Sequence, residues 1–426
     1  MPDVAKNRAD RYLDPMDKLA DYSSEANGAN AADGTMVASG GEVLTVLGLE
    51  TSCDETAASV VRLGPDGAQV LSSVIHSQID EHAAFGGVVP EIAARSHVEM
   101  IDTVTRQAME QSGLEWSELS GVAATAGPGL VGGVMVGLSY GKAVALARDL
   151  PLIAVNHLEG HAVSARLGAE TAYPFLLLLV SGGHCQLLEV RGIGDMSRLG
   201  TTIDDAAGEA FDKIAKAMGL GYPGGPALEK LAAKGDGSRF ELPRALLGRK
   251  DCDFSFSGLK TAASRLAQTC ETEQDKADLA DAVQKAIARQ LGERTERAMK
   301  DYVEAHPQLV AYGLGESALK QSSPAGEAIG QAKERLFVVA GGVAANKTVR
   351  ATLQKLAEKY GFGFFAPPMA YCTDNAAMIA LAGAERLEKG WVSDMDAVAR
   401  PRWPLDEARA MGDPVHKKQG RKGAKA

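Results

Sequence analysis

Apolar and polar positions along this chain form a device that occurs twice. The run 43–49 is apolar, breaks at the polar turn Glu50-Thr51-Ser52-Cys53-Asp54-Glu55 and resumes over 57–62, which predicts a β-hairpin. About 130 residues later the run 175–180 meets Ser181-Gly182-Gly183-His184 and resumes over 185–190. Helical patterns follow each hairpin: 90–112, with proline first and Gly113 just past the end, and 205–218, which runs into Gly219. Further strands are predicted at 121–126, 152–155, 336–340 and 363–366. Strands alternating with helices in each half predict an α/β fold with a duplicated core.

Length agrees, since 426 residues at 45% hydrophobic content suffice for two domains with their own cores. No run of about 18 uncharged apolar residues occurs, so no membrane span is predicted. Five cysteines stand singly, without C-x-x-C spacing, which fits free thiols in a reducing compartment and predicts a cytoplasmic protein. Residues 1–40 lack an apolar segment and mix acids with bases, unlike secretory or transit signals, and are expected to be a disordered extension or a misassigned start. Residues 304–334, rich in Gly, Ser, Ala and Gln, are expected to be an inserted surface loop. The net charge of −10 opposes a broad nucleic-acid surface. Only the tail, with Lys417, Lys418, Arg421, Lys422 and Lys425, is densely basic, and it reads as a solubilising disordered end.

Three Gly-rich turns follow strands, at 126–129, 181–183 and 340–343, and turns of this kind can present clustered N–H groups to a phosphate. None has P-loop or G-x-G-x-x-G spacing. His157 and His161, four residues apart at the start of a predicted helix, share a face and can share a metal. Asp374 is a candidate third ligand, although by itself it reads as a helix N-cap. A protease of the H-E-x-x-H type is excluded because Glu159, two residues after His157, points roughly 200° away from it. Carboxylates gather at Asp204, Asp205, Glu209 and Asp212, with the last three expected along one helix face, where ribose hydroxyls could find acceptors. The cluster 221–226, Gly-Tyr-Pro-Gly-Gly-Pro, is a turn that a ligand could approach closely.

Taken in order, Leu49 to Thr56, the His157/His161 segment, Leu179 to His184, Asp204 to Asp212, Ser255 to Lys260 and Ala340 to Asn346 resemble the TsaD family, long misnamed O-sialoglycoprotein endopeptidase. The resemblance runs from about residue 43 to 404. It implies two actin-like lobes around a nucleotide cleft, here 41–172 and 173–404, followed by a basic tail at 405–426. It also implies transfer of a threonylcarbamoyl group from threonylcarbamoyl-AMP to N6 of adenosine 37 in tRNAs that read codons starting with A. His157, His161 and Asp374 would then hold one iron or zinc ion. Leu179, Val180, Ser181, Gly182, Gly183, Asp212, Gly225 and Asn346 would bind the adenylate. Asp54 or Glu55, at the mouth of the first hairpin, would accept the amine proton or orient the substrate. Implied partners are an inactive TsaB-like paralogue as dimer partner, a TsaE-like P-loop ATPase and a TsaC-like adenylate synthase. The competing reading is a small-molecule kinase of the same fold, for which a histidine pair is unnecessary because Mg²⁺ prefers oxygen ligands.

Overall fold

The computed structural model describes residues 43–83, 85, 87–167, 171–313, 333–407 and 409. The expected extension at 1–40, most of the insertion (314–332) and the tail from 410 lie outside the described residues. The chain divides into units Met1–Glu42 and Val43–Ala426, and the second carries everything below.

Its elements are β1 (Leu44–Glu50), β2 (Glu55–Gly64), β3 (Gly67–Ser77), α1 (Ile79–Ala83), α2 (Pro90–Ser112), β4 (Gly121–Gly127), α3 (Val131–Arg148), β5 (Leu152–Asn156) and α4 (His157–Val163). There follow β6 (Phe175–Val180), β7 (Cys185–Gly192), β8 (Asp195–Thr201), α5 (Ala207–Ala217), α6 (Gly224–Ala232), α7 (Ser257–Ala267), α8 (Glu273–Ala305), β9 (Leu336–Ala340), α9 (Lys347–Tyr360), β10 (Gly363–Phe365) and α10 (Ala376–Glu388). Two five-stranded sheets result, ordered β3-β2-β1-β4-β5 and β10-β9-β6-β7-β8. In each, the first strand pairs antiparallel with the second and parallel with the strand that returns after a helix. The two sheets therefore have one topology, and the duplication read from the hairpins holds.

The central strands are buried on both faces and so read as continuous apolar runs. Alternation then sorts their side chains: Leu47 and Leu49 join a core with Ile101 and Leu138, whereas Val46 joins Leu177, Leu179, Val338 and Ile379 in a core shared by both sheets. The edge strands β3 and β8 went unpredicted because each is only partly buried and carries polar residues on its open face. Helix α2 spans the predicted residues and stops at Gly113, whose φ of 69° is the left-handed conformation glycine tolerates.

One local expectation is corrected, and one packing contact lies beyond what the sequence predicted. The helix expected from 205 begins at Ala207, so Asp204 and Asp205 precede it and do not share a helix face with Glu209 and Asp212. Helix α10, which follows the second sheet in sequence, packs on the first: a Cβ on Gly48 would lie 2.3 Å from the Ala376 carbonyl oxygen. This return brings the turn before α10 to the end of β5. Among the described residues no helix is long and apolar enough to cross a membrane.

Candidate active site

Strand β5 ends at Asn156, whose side chain accepts from the Leu158 amide at 2.9 Å and starts α4 at His157. One turn on, His161 brings its ring to 4.7 Å from that of His157, centroid to centroid. Asp374 meets both: its Oδ1 lies 3.0 Å from His161 Nε2 and 3.6 Å from His157 Nε2. The capping role that Asp374 could have filled belongs to Asn375, which accepts from the Met378 amide at 3.0 Å. Asp374 is thus free to face the histidines.

Glu50, fully buried at the end of β1, supports the pair. Its Oε2 lies 2.9 Å from His157 Nδ1 and accepts from Thr125 Oγ1 at 2.6 Å, while Oε1 accepts from the Ser52 amide. Burial opposes a charge on Glu50, yet the His157 ring holds its pKa below the ordinary value. Burial would likewise depress His157, but the Glu50 and Asp374 carboxylates outweigh it and push its pKa up to about 9. Asp374 is held well below the carboxylate range by the two histidines despite its burial. Two carboxylates and two imidazoles in so little buried space form a cradle for positive charge.

The donor set suits a divalent metal. One ligand atom from each of His157, His161 and Asp374 lies within 4.8 Å of the others. With His157 Nδ1 committed to Glu50, Nε2 is turned toward Asp374, the usual second-shell arrangement for a ligating histidine. Glu159 takes no part, since it accepts from the Gly194 amide at 2.8 Å and pairs with Arg386 at 2.6 Å.

The Gly-rich turns have different fates. At Gly127 (φ 132°) a Cβ would lie 1.9 Å from the Arg400 carbonyl oxygen, and Arg400 donates to the Ala126 carbonyl at 2.7 Å. The chain's own 400–401 segment therefore fills the turn at 126–129, where a phosphate was considered. Gly341 likewise packs on the Val180 carbonyl. The turn at Gly182 and Gly183 is open, because a Cβ on either would meet nothing within 4 Å. It adjoins the histidines, with the His184 ring 6.2 Å from that of His157.

The other expected adenylate residues are placed unequally. Leu179 and Val180 bury their side chains completely, so only their backbone could face a ligand. Asn346 caps α9 through the Val349 amide at 3.0 Å and donates to Gln284 at 3.3 Å, so the fold already uses its amide. Gly225 is open at its Cβ position, and Asp212 accepts from the neighbouring Gly224 amide at 2.8 Å. Burial raises the Asp212 pKa, and the Asp54 charge adds to it. Burial first, then the charges of Asp374 and Asp54, push Glu55 well above the ordinary carboxylate range. The remaining acidic cluster is spent on structure: Asp204 accepts from Ser255 Oγ and from the Phe256 and Ser257 amides, and Asp205 pairs with Lys213 and Lys260. Sequence reasoning missed the part played by Glu50 and His184, although a carboxylate closing an otherwise apolar strand was a readable signal for Glu50.

A family model described as TsaD: tRNA N6-adenosine threonylcarbamoyltransferase matches residues 69–381. The chain belongs to this family. A relative of that name from Caulobacter vibrioides is 66% identical, covering 90% of this chain and 98% of its own. One from Maricaulis maris is 54% identical, covering 90% and 96%. Among solved structures, T. kodakarensis HypF matches with a TM-score of 0.52 at 14% identity, over 84% of this chain and 49% of that one, a likeness that speaks to fold alone. The expected α/β fold with a duplicated core stands, and the family match does not favour the kinase alternative.

Proposed function

We propose that this protein transfers the threonylcarbamoyl group of threonylcarbamoyl-AMP to N6 of adenosine 37 in tRNAs that read codons starting with A. The C–O bond to the phosphate breaks, a C–N bond forms, the amine loses a proton and AMP departs. The convergence of His157, His161 and Asp374 beside the open Gly182–Gly183 turn, in a chain of this family, carries the reading. The nucleotide would lie between an N-terminal lobe at 41–172 and a C-terminal lobe at 173–404, with α10 returning to the first sheet.

His157, His161 and Asp374 would hold one iron or zinc ion, which when bound supplies Lewis acidity toward the acyl donor. Backbone N–H groups of Ser181, Gly182 and Gly183 would meet the phosphate, with the Leu179–Val180 backbone, Asp212, Gly225 and Asn346 around the nucleoside. At the hairpin mouth, Asp54 or Glu55 would accept the amine proton or orient the substrate, and burial with the neighbouring carboxylates raises the Glu55 pKa. The target base must be unpaired, as it is in an anticodon loop. The protein would act in the cytoplasm with a TsaB-like paralogue as dimer partner, a TsaE-like ATPase and a TsaC-like synthase.

The test is nucleoside mass spectrometry on unmodified tRNA incubated with synthetic threonylcarbamoyl-AMP, the partner subunits and either wild type or His157→Ala/His161→Ala. Modified adenosine with wild type and little with the double variant is expected. Equal modification by both would remove the metal role, and none by wild type would remove the transfer.

A further inference from the structure

Outside the metal cradle, two buried histidines, His82 and His97, lie near the hairpin turn that carries Asp54 and Glu55, and neither has a place in the chemistry above. Their hydrogen bonds run in series. The Val89 amide donates to His82 Nδ1 at 3.3 Å, and His82 Nε2 lies 3.2 Å from Gln78 Oε1. Gln78 Nε2 lies 3.3 Å from His97 Nδ1, and His97 Nε2 lies 3.2 Å from the Cys53 carbonyl oxygen.

The two ends fix the direction. A backbone N–H can only donate and a carbonyl can only accept, so each ring must carry its proton on Nε2 and the Gln78 amide has one orientation. The Thr56 hydroxyl, 2.8 Å from His97 Nδ1, can donate to the same nitrogen. Reversing either tautomer would set two donors or two lone pairs against each other in a buried space. Burial keeps the His97 pKa below its ordinary value, which is consistent with a neutral ring. The adjoining carbonyl is held as well, since the Gln78 backbone N–H donates to Asp54 O at 3.1 Å. Helix α3 closes over the edge of the ring, where a Cβ on Gly133 would lie 3.1 Å from His97 Nε2.

We propose that Gln78, His82 and His97 form a one-way hydrogen-bond relay that fixes the Cys53–Glu55 turn, with His97 as a positioning residue for the transfer step. Packing alone would not call for this order of donors and acceptors. The kinetic part rests on the transfer reading, whereas the relay itself does not.

The test uses full-length protein with its partner subunits. His97→Leu and His97→Asn, which lack a donor at the Nε2 position, should lower kcat about tenfold or more, as a displaced catalytic turn would. The KM for tRNA should stay within about twofold, and His97→Gln, whose amide reaches the Nε2 position, should recover most of the rate. Wild-type kcat in folded His97→Leu, or no difference between the Gln and Asn variants, overturns the positioning role. Independently, imidazole ¹⁵N NMR of labelled wild type should show His82 and His97 as neutral Nε2–H tautomers at neutral pH. An Nδ1–H or charged His97 overturns the relay. If wild type transfers nothing, the transfer reading falls while the spectrum still decides the relay.

Discussion

Replacing Glu50 with glutamine or leucine tests the metal cradle at its support. The Glu50 carboxylate serves three donors, the Ser52 amide, the Thr125 hydroxyl and His157 Nδ1, at 2.5, 2.6 and 2.9 Å. Glutamine keeps the shape but offers one oxygen, which serves either Thr125 and His157 with NH₂ turned against the Ser52 amide, or the Ser52 amide with NH₂ turned against His157 Nδ1. One buried donor is left unpaired, at a cost of about 1–3 kcal/mol of stability. Glu50→Leu removes both arrangements and leaves His157 Nδ1 only the Ser52 hydroxyl at 3.1 Å, and loss of such a second-shell contact weakens metal binding about 10–100-fold. Zinc and ferrous iron titrations against a competing chelator, with thermal unfolding alongside, should show each loss in its variant. Thr125→Val, which removes one donor and leaves the His157 contact, should cost about 1 kcal/mol and leave metal affinity nearly unchanged. Wild-type metal affinity in folded Glu50→Leu would refute the argument that Glu50 orients His157.

Other perturbations separate stability from chemistry. Gly137→Ala should destabilise the protein by about 1–3 kcal/mol in urea, against the usual gain for alanine in a helix, because the new Cβ would lie 2.3 Å from Thr51 Oγ1. Arg386→Met strands the buried Glu159 charge and should cost about 3–5 kcal/mol in denaturant melts, while the folded fraction keeps its metal affinity; weaker metal binding there would contradict the separation of Glu159 from the site. Hydrogen bonds from Lys359 and then Tyr360 depress the Glu296 pKa to about 2. That contribution is present above the unfolded carboxylate pKa and is lost as pH falls through the folded value, so wild type and Glu296→Gln, separated by about 1 kcal/mol or less at pH 7, should converge between about pH 4 and 2. Prolonged chelation should lower the wild-type melting temperature, and His157→Ala/His161→Ala should show no such response.

The sequence alone determined the central strands of both sheets, helix α2 to its terminal residues, and the shared face of His157 and His161. These features rest on local periodicity and capping, which are written in neighbouring residues. Tertiary structure decided what depends on approach between distant segments. Asp374, one of two readings in the sequence, meets the histidines because α10 returns to the first sheet and leaves the cap to Asn375. Similar glycine turns diverged because residues 400–401 fill one at 126–129 and nothing fills the one at Gly182–Gly183. Glu50, Gln78, His82 and His97 found their partners across as many as 107 residues of chain, and no sequence period encodes which buried donor will meet which acceptor.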